Sequence, residues 1–206
     1  LTGVTFTTKK GEPTVRATEW TFLSKALRPL PDKWHGLTDK EVSYRERHLD
    51  LLVNEATRER FRLRTRVVKA LRGYLDGAAF EEVETPILAA KATGALARPF
   101  YTHHNALGIE CALRIAPETW LKKLVAGGID RVYEVARCFR NEGMDPSHLQ
   151  DFTMVEWYCA YFDFNDNMDF TQGLLLHLLD EAVRSRTIRW GEHTIDFTPP
   201  WPRVRM

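Results

Sequence analysis

The chain has 206 residues, room for one large domain or for one domain with part of a second, and its 44% hydrophobic, 28% charged and 11% aromatic content is that of a folded globular protein rather than a disordered one. Lys and Arg total 29 and Asp and Glu 28, yet residues 1–75 hold 16 basic and 9 acidic side chains against 13 and 19 in residues 76–206, so either a solvated basic face or a nucleic-acid footprint belongs in the first third. No apolar run approaches the roughly 18 residues of a membrane span, and no targeting segment is evident.

In chain order, Val4-Thr-Phe-Thr and Thr14-Val-Arg-Ala-Thr-Glu-Trp20 alternate about Lys9-Lys-Gly-Glu-Pro13, which predicts a strand, a turn and a strand. Residues 28–39 are rich in Pro, Gly and Asp and read as a linker, with a domain boundary near residue 50. From Glu55 to about Gly77 the period is helical. Leu63, Val67, Val68, Leu71, Tyr74 and Leu75 share one face, and Arg58, Arg62, Arg66, Lys69 and Arg72 the other. Arg60 and Arg64 fall inside the apolar arc, which suits an interface with acidic partners better than a simple interior.

Phe80–Pro86 reads as a short strand ended by Pro, and Glu118–Val125 as a helix stopped by Gly127-Gly128. Arg131–Phe139 and Phe152–Tyr161 are strand-like runs about a polar loop. Asp166–Arg186 is a second amphipathic helix, and Ile188–Phe197 a hairpin turned at Gly191. Strands joined by hairpins and interrupted by helices predict an α+β fold with an antiparallel sheet.

Neither G-x-x-x-x-G-K-[ST] nor G-x-G-x-x-G is present, so phosphate needs another grip. The loop after the Arg131–Phe139 strand offers one: Arg140 is a bidentate phosphate donor, Glu142 and His148 are polar neighbours, and Phe152 is a stacking plate, although an ordinary surface hairpin has the same look. On the return strand Glu156 and Tyr158 point to one side and Val155 and Trp157 to the other, so the carboxylate and phenol line either a pocket or a solvent stripe. His103-His104 lacks zinc-ligand spacing, the serines lack a nucleophile elbow, and Cys111, Cys138 and Cys159 form no CxxC pair, which fits a reducing cytoplasmic location.

Six segments together resemble the class II lysyl-tRNA synthetases: Leu23-Ser-Lys-Ala-Leu-Arg-Pro-Leu-Pro-Asp-Lys-Trp-His-Gly-Leu37, Glu82-Val-Glu-Thr-Pro86, Ala97-Arg-Pro-Phe-Tyr-Thr-His-His-Asn-Ala-Leu107, Leu113-Arg-Ile-Ala-Pro-Glu118, Phe139-Arg-Asn-Glu-Gly143 and Phe152-Thr-Met-Val-Glu-Trp-Tyr158. The resemblance implies that residues 1–22 end an OB-type anticodon-binding barrel, that 23–50 are a linker, and that 51–206 are the N-terminal part of a class II catalytic domain. It also implies a homodimer built through the Glu55–Gly77 helix and Glu82–Pro86, and a cytoplasmic enzyme with no membrane association.

The activity implied is ATP-dependent formation of lysyl-adenylate and transfer to tRNA(Lys). Arg140 is the catalytic residue; Arg140, Glu142, His148 and Phe152 bind ATP; and Gly94, Glu118, Arg140, Glu156 and Tyr158 bind L-lysine. Mg²⁺ is the expected metal, with its ligands beyond residue 206, because the family's third motif has no counterpart here; a piece truncated at both ends, nearly inactive alone, is therefore expected. A ligase paralogue acting on a protein or lipid acceptor, and a non-catalytic dimerising RNA-binding relic, are the alternatives. Leu149 stands where the family carries a polar ATP contact, and Thr93 where it carries the first of two glycines.

Overall fold

The computed structural model describes residues 1–31, 37–145 and 147–205, so residues 32–36 of the expected linker lie outside the described residues. The chain divides into two compact units, Leu1–Arg60 and Phe61–Met206. In the first, strands β1 (Thr2–Thr7) and β2 (Pro13–Glu19) pair antiparallel. The turn between them closes through Gly11 N–H donating to Thr8 O at 2.9 Å, with Gly11 at φ 84°. Near Gly3 the register shifts, and a Cβ there would lie 2.3 Å from Arg16 O, an approach that only glycine permits.

Two short helices follow, α1 (Lys40–Arg45) and α2 (Arg47–Val53); the Asp39 carboxylate caps the first by accepting from the Glu41 and Val42 amides. At six and seven residues they are too short to show a helical period, which is why the sequence reading passes over them. Helix α3 (Glu55–Gly77) keeps its predicted bounds.

The second unit contains β3 (Glu81–Glu82), β4 (Leu88–Ala89), β5 (Tyr101–His104), β6 (Ile109–Leu113), α4 (Glu118–Ala126), β7 (Arg131–Phe139), β8 (Asp151–Cys159), α5 (Phe164–Leu178), β9 (Thr187–Trp190) and β10 (His193–Asp196). One sheet has the order β3-β7-β8, with β3 parallel to β7 and β8 antiparallel to it; the other, β4-β6-β5, is antiparallel throughout, and β9 and β10 form a separate antiparallel ladder. This is the mixed, mainly antiparallel α and β content that the sequence predicts. The sheet of β4, β5 and β6 is an addition to it.

Period-two alternation gives the β7–β8 ribbon two different faces. Tyr133, Val135, Val155 and Trp157 face Leu71 and Leu75 of α3, Phe80, and Phe170 of α5, and form the core. Phe170 lies 5.1 Å from Phe80, 5.2 Å from Tyr74 and 6.0 Å from Trp157 between ring centroids, spacings at which tilted rings attract. The buried Tyr133 hydroxyl donates to Asp76 Oδ1 at 2.8 Å, and Arg72 grips Glu82 with two nitrogens at 2.9 Å, which ties the end of α3 to β3. Helix α5 begins earlier than predicted because Asp163 and Asp166 form a reciprocal capping box; its last turn widens into a π-turn over Leu179–Val183, ended by Arg184 at φ 61°.

Candidate active site

The other face of the ribbon carries the candidate site. Ladder pairs set opposite each other on β7 and β8 share a face, so Glu134 and Glu156, Ala136 and Met154, and Cys138 and Phe152 stand on the side away from Tyr133 and Trp157. Tyr158 continues this row on β8, and Arg140 follows β7 at the start of the loop. One ribbon therefore sets a cation at one end of a surface and a carboxylate with a phenol at the other.

At the loop end, Arg140 N–H donates to Gln150 O at 2.8 Å, Asn141 N–H to Arg98 O at 2.7 Å, and the Gln150 side-chain amide to Glu142 O at 3.0 Å. The Arg98 amide donates to Glu142 Oε1 at 3.1 Å. Asp145 holds the tip: its Oδ1 accepts from the Ser147 and His148 amides at 2.6 and 2.9 Å, and its Oδ2 lies 2.7 Å from His148 Nδ1. Those bonds keep the Asp145 carboxyl below the usual carboxylate range, the Ser147 amide first among them. With Nδ1 engaged, His148 has Nε2 left for another partner.

Arg140, Glu142, Gly143, Ser147, His148, Leu149, Phe152 and Thr153 line a cleft of about 350 Å³. The Arg140 guanidinium lies over one face of the Phe152 ring, 5.1 Å from its centroid. Arg140 Nε is buried with no hydrogen-bond partner. A buried donor left unsatisfied costs about 1–3 kcal/mol, which an anion in the cleft would recover. The four residues expected to bind ATP are thus brought to one cleft. Leu149 gives its rim an apolar side chain.

At the other end, the Tyr158 hydroxyl donates to Glu156 Oε2 at 3.3 Å. Burial pushes the Glu156 carboxyl above its ordinary value against the Tyr158 bond, and the like charge of Glu118 pushes it further. Burial likewise raises the Tyr158 phenol, with the Glu156 charge adding to it. Glu118 opens α4 beside this pair. Gly94, at φ 92°, packs so close that a Cβ there would lie 3.1 Å from Glu118 Cβ and 3.3 Å from Ala116 Cβ, and its backbone conformation is one that side chains disfavour. Lys122 Nζ binds Glu118 Oε1 at 2.6 Å and sits 5.7 Å from the centre of the Tyr158 ring. Gly94, Glu118, Glu156 and Tyr158, separated by up to 64 positions in the chain, are brought near one another.

Sequence reasoning missed what lies between the ends. Glu134 is 3% exposed and Arg114 6%, and Arg114 Nη1 donates to Glu134 Oε1 at 2.6 Å. Cys138 is buried on the same face, and desolvation pushes its thiol up to about 11, which makes it inert near neutrality. The signal was present: Val132, Glu134, Ala136 and Cys138 are alternate positions, and one acid in an apolar row needs a buried partner. Among the described residues no group of three or more His, Cys, Asp or Glu side chains is arranged to hold a metal ion. No helix among them is long and apolar enough to cross a membrane.

A family model described as tRNA synthetases class II (D, K and N) matches residues 39–206. Curated relatives include lysine–tRNA ligases of Clostridium botulinum strain Hall (48% identical), Listeria monocytogenes strain EGD-e (50%) and Shewanella halifaxensis strain HAW-EB4 (51%), each aligned over all 206 residues. The alignment covers 100% of this chain and 41% of each of these relatives. The chain thus spans about two-fifths of the length of the curated proteins it matches.

Proposed function

Because the chain belongs to the class II tRNA synthetases of the D, K and N group, we propose that it is the part of a lysine–tRNA ligase that binds ATP and lysine and forms lysyl-adenylate before transfer to tRNA(Lys). The observation that carries this reading is the polarity of one ribbon face: Arg140 with its unpartnered Nε at the cleft, and Glu156 with Tyr158 at the acidic end. Free lysine has a carboxylate and two ammonium groups, and the face offers a cation and acids in that order.

In the reaction, a lysine carboxylate oxygen bonds to the α-phosphorus of ATP while the bond from that phosphorus to the bridging oxygen breaks and pyrophosphate leaves. Arg140 spans the attacking carboxylate and the α-phosphate and stabilises the charge that builds between them. Glu142 and His148 flank the nucleotide, and Phe152 takes adenine on the face that Arg140 leaves. Gly94 leaves room for the substrate α-ammonium against Glu118, and Glu156 with Tyr158 takes the ε-ammonium. Mg²⁺ bound with ATP would neutralise phosphate charge; every step above runs through this chain's own side chains. Residues 1–22, of which Thr2–Thr7 and Pro13–Glu19 form an antiparallel ribbon, are assigned to the end of an OB-type anticodon-binding barrel. Residues 23–50 form the linker and 51–206 the catalytic segment. The full-length protein is taken to act in the cytoplasm as a homodimer.

Glu156→Gln in the full-length protein keeps the shape and removes the charge. Truncating one partner of an enclosed charge pair costs about 2–5 kcal/mol, and the half-buried position of Glu156 puts the expectation near the lower end, roughly 30-fold in the KM for lysine. Lysine-dependent exchange between ATP and pyrophosphate measures it. An unchanged KM would move the ε-ammonium to another acid.

A further inference from the structure

The buried pair between the two ends of the face has an arrangement that packing alone does not require. Arg114 follows β6 and joins the two three-stranded sheets: its N–H donates to Ile87 O at 2.9 Å and its carbonyl accepts from Phe139 N–H at 3.0 Å. Its side chain is then held by several acceptors. Nε donates to Arg137 O at 2.8 Å, and Nη1 lies 3.0 Å from Thr85 O, 2.9 Å from Thr85 Oγ1 and 2.6 Å from Glu134 Oε1. The Thr85 hydroxyl donates in turn to Glu134 Oε2 at 2.7 Å, so both oxygens of Glu134 are engaged.

Glu134 stands directly opposite Glu156 in the β7–β8 ladder, on the same face. Facing pairs in an antiparallel ladder have Cβ atoms about 4.5–5.5 Å apart. The half-buried Glu156 therefore has an enclosed guanidinium in its neighbourhood, yet its recorded hydrogen bond is the long one from Tyr158. An enclosed, permanently charged arginine without its carboxylate turns to the nearest other acid. Glu156, opposite Glu134 in the ladder, is the acid beside it on that face.

Resting on the reading of Glu156 as the acceptor of the lysine ε-ammonium, we propose that Arg114, Glu134 and Thr85 are positioning residues of the lysine pocket: Glu134, oriented by Thr85, holds the Arg114 guanidinium against β7 and keeps Glu156 available to a substrate cation. Glu134 touches neither substrate. It acts by occupying an enclosed cation of this face that would otherwise compete with the substrate for Glu156, as Glu118 occupies Lys122. The arrangement also separates two arginine tasks on one surface, since Arg140 keeps an unpaired nitrogen for an anion while Nε and Nη1 of Arg114 are engaged.

The test uses the full-length protein, with KM for lysine, KM for ATP and kcat measured by pyrophosphate exchange and folding checked by thermal unfolding. Glu134→Gln is expected to raise the KM for lysine about 10- to 100-fold, the scale of losing one charged contact, while the KM for ATP changes less than about threefold. Adding Arg114→Met to Glu134→Gln removes the competing cation and is expected to bring the KM for lysine back to within about threefold of the parent. A purely structural pair would instead raise both KM values together and lower the unfolding temperature in Glu134→Gln, with the double variant restoring all three. Thr85→Val, which keeps both charges and removes the bridge, is expected to raise the KM for lysine about three- to tenfold. It decides the matter if Glu134→Gln fails to fold.

An unchanged KM for lysine in folded Glu134→Gln, or equal losses in both KM values, overturns the inference and leaves the proposed function standing; so does an unchanged KM for lysine in Thr85→Val when the glutamine variant does not fold. A parent protein that shows no lysine-dependent exchange overturns the proposed function, and this inference with it.

Discussion

Glu156 and Tyr158 could be placed on one face from the sequence because a strand alternates its side chains with a period of two, and the residues alternating with them, Val155 and Trp157, are apolar. What alternation cannot tell is whether such a face meets water or a pocket; Gly94 packs against Glu118, whose charge acts on Glu156, and that contact spans 24 positions that no period links. The environment of Glu156 has a consequence for pH. Burial and the nearby Glu118 raise its carboxyl above the ordinary value. An ammonium group binds the ionised carboxylate, so protonation competes with lysine, and the affinity is present above the Glu156 pKa and lost as pH falls through it. The KM for lysine in the full-length protein is thus expected to climb, by up to about tenfold per unit, starting at a higher pH than an ordinary glutamate near 4.3 would give. In Glu156→Gln this limb should vanish. A KM that stays flat down to the ordinary carboxylate range would remove Glu156 from the ammonium site.

Among elements, the longest were the most legible. Helix α3 shows its period over 23 residues, and strands β7 and β8 alternate over nine each. Strands β4, β5 and β6 have two, four and five residues and lie among prolines, glycines and alanines, so each has too few alternations to be recognised alone; their pairing is a tertiary outcome. The site depends on these elements through the core beneath it. Leu75 of α3 is completely buried against Phe80 and Tyr133, under the face of β7 opposite Glu134. Leu75→Ala removes packing atoms without touching the site face and is expected to cost about 2–5 kcal/mol of stability. Denaturant unfolding at unchanged m-value would read the loss. A cost below about 1 kcal/mol would mean that α3 does not anchor the ribbon.

For the whole molecule, the homodimer proposed above would run through α3, on account of its length and of where its charges fall. At 23 residues it is about 35 Å long, enough for one side of a two-fold interface of the usual 800 Å² per partner. Arg60 and Arg64 lie inside its apolar arc and are exposed. Arg64 has an intramolecular contact, Nη2 to Thr153 Oγ1, but at 3.3 Å between exposed groups it is weak. A helix that closed only on its own domain would gain little from two guanidinium groups in its apolar arc; one that meets a copy of itself can pair them with acids of the partner, and β3 brings Glu81 and Glu82 to the end of the same helix. Glu82 is already held by Arg72, which leaves Glu81 as the nearer candidate. The full-length protein is therefore expected to sediment as a dimer at micromolar concentration. Arg60→Glu with Arg64→Glu should shift it toward monomer by setting like charges across the two-fold axis, while the unfolding temperature of the monomer changes little because both side chains are exposed. A parent protein that sediments as a monomer at tens of micromolar, or a charge-reversed variant as dimeric as the parent, would take α3 out of the interface.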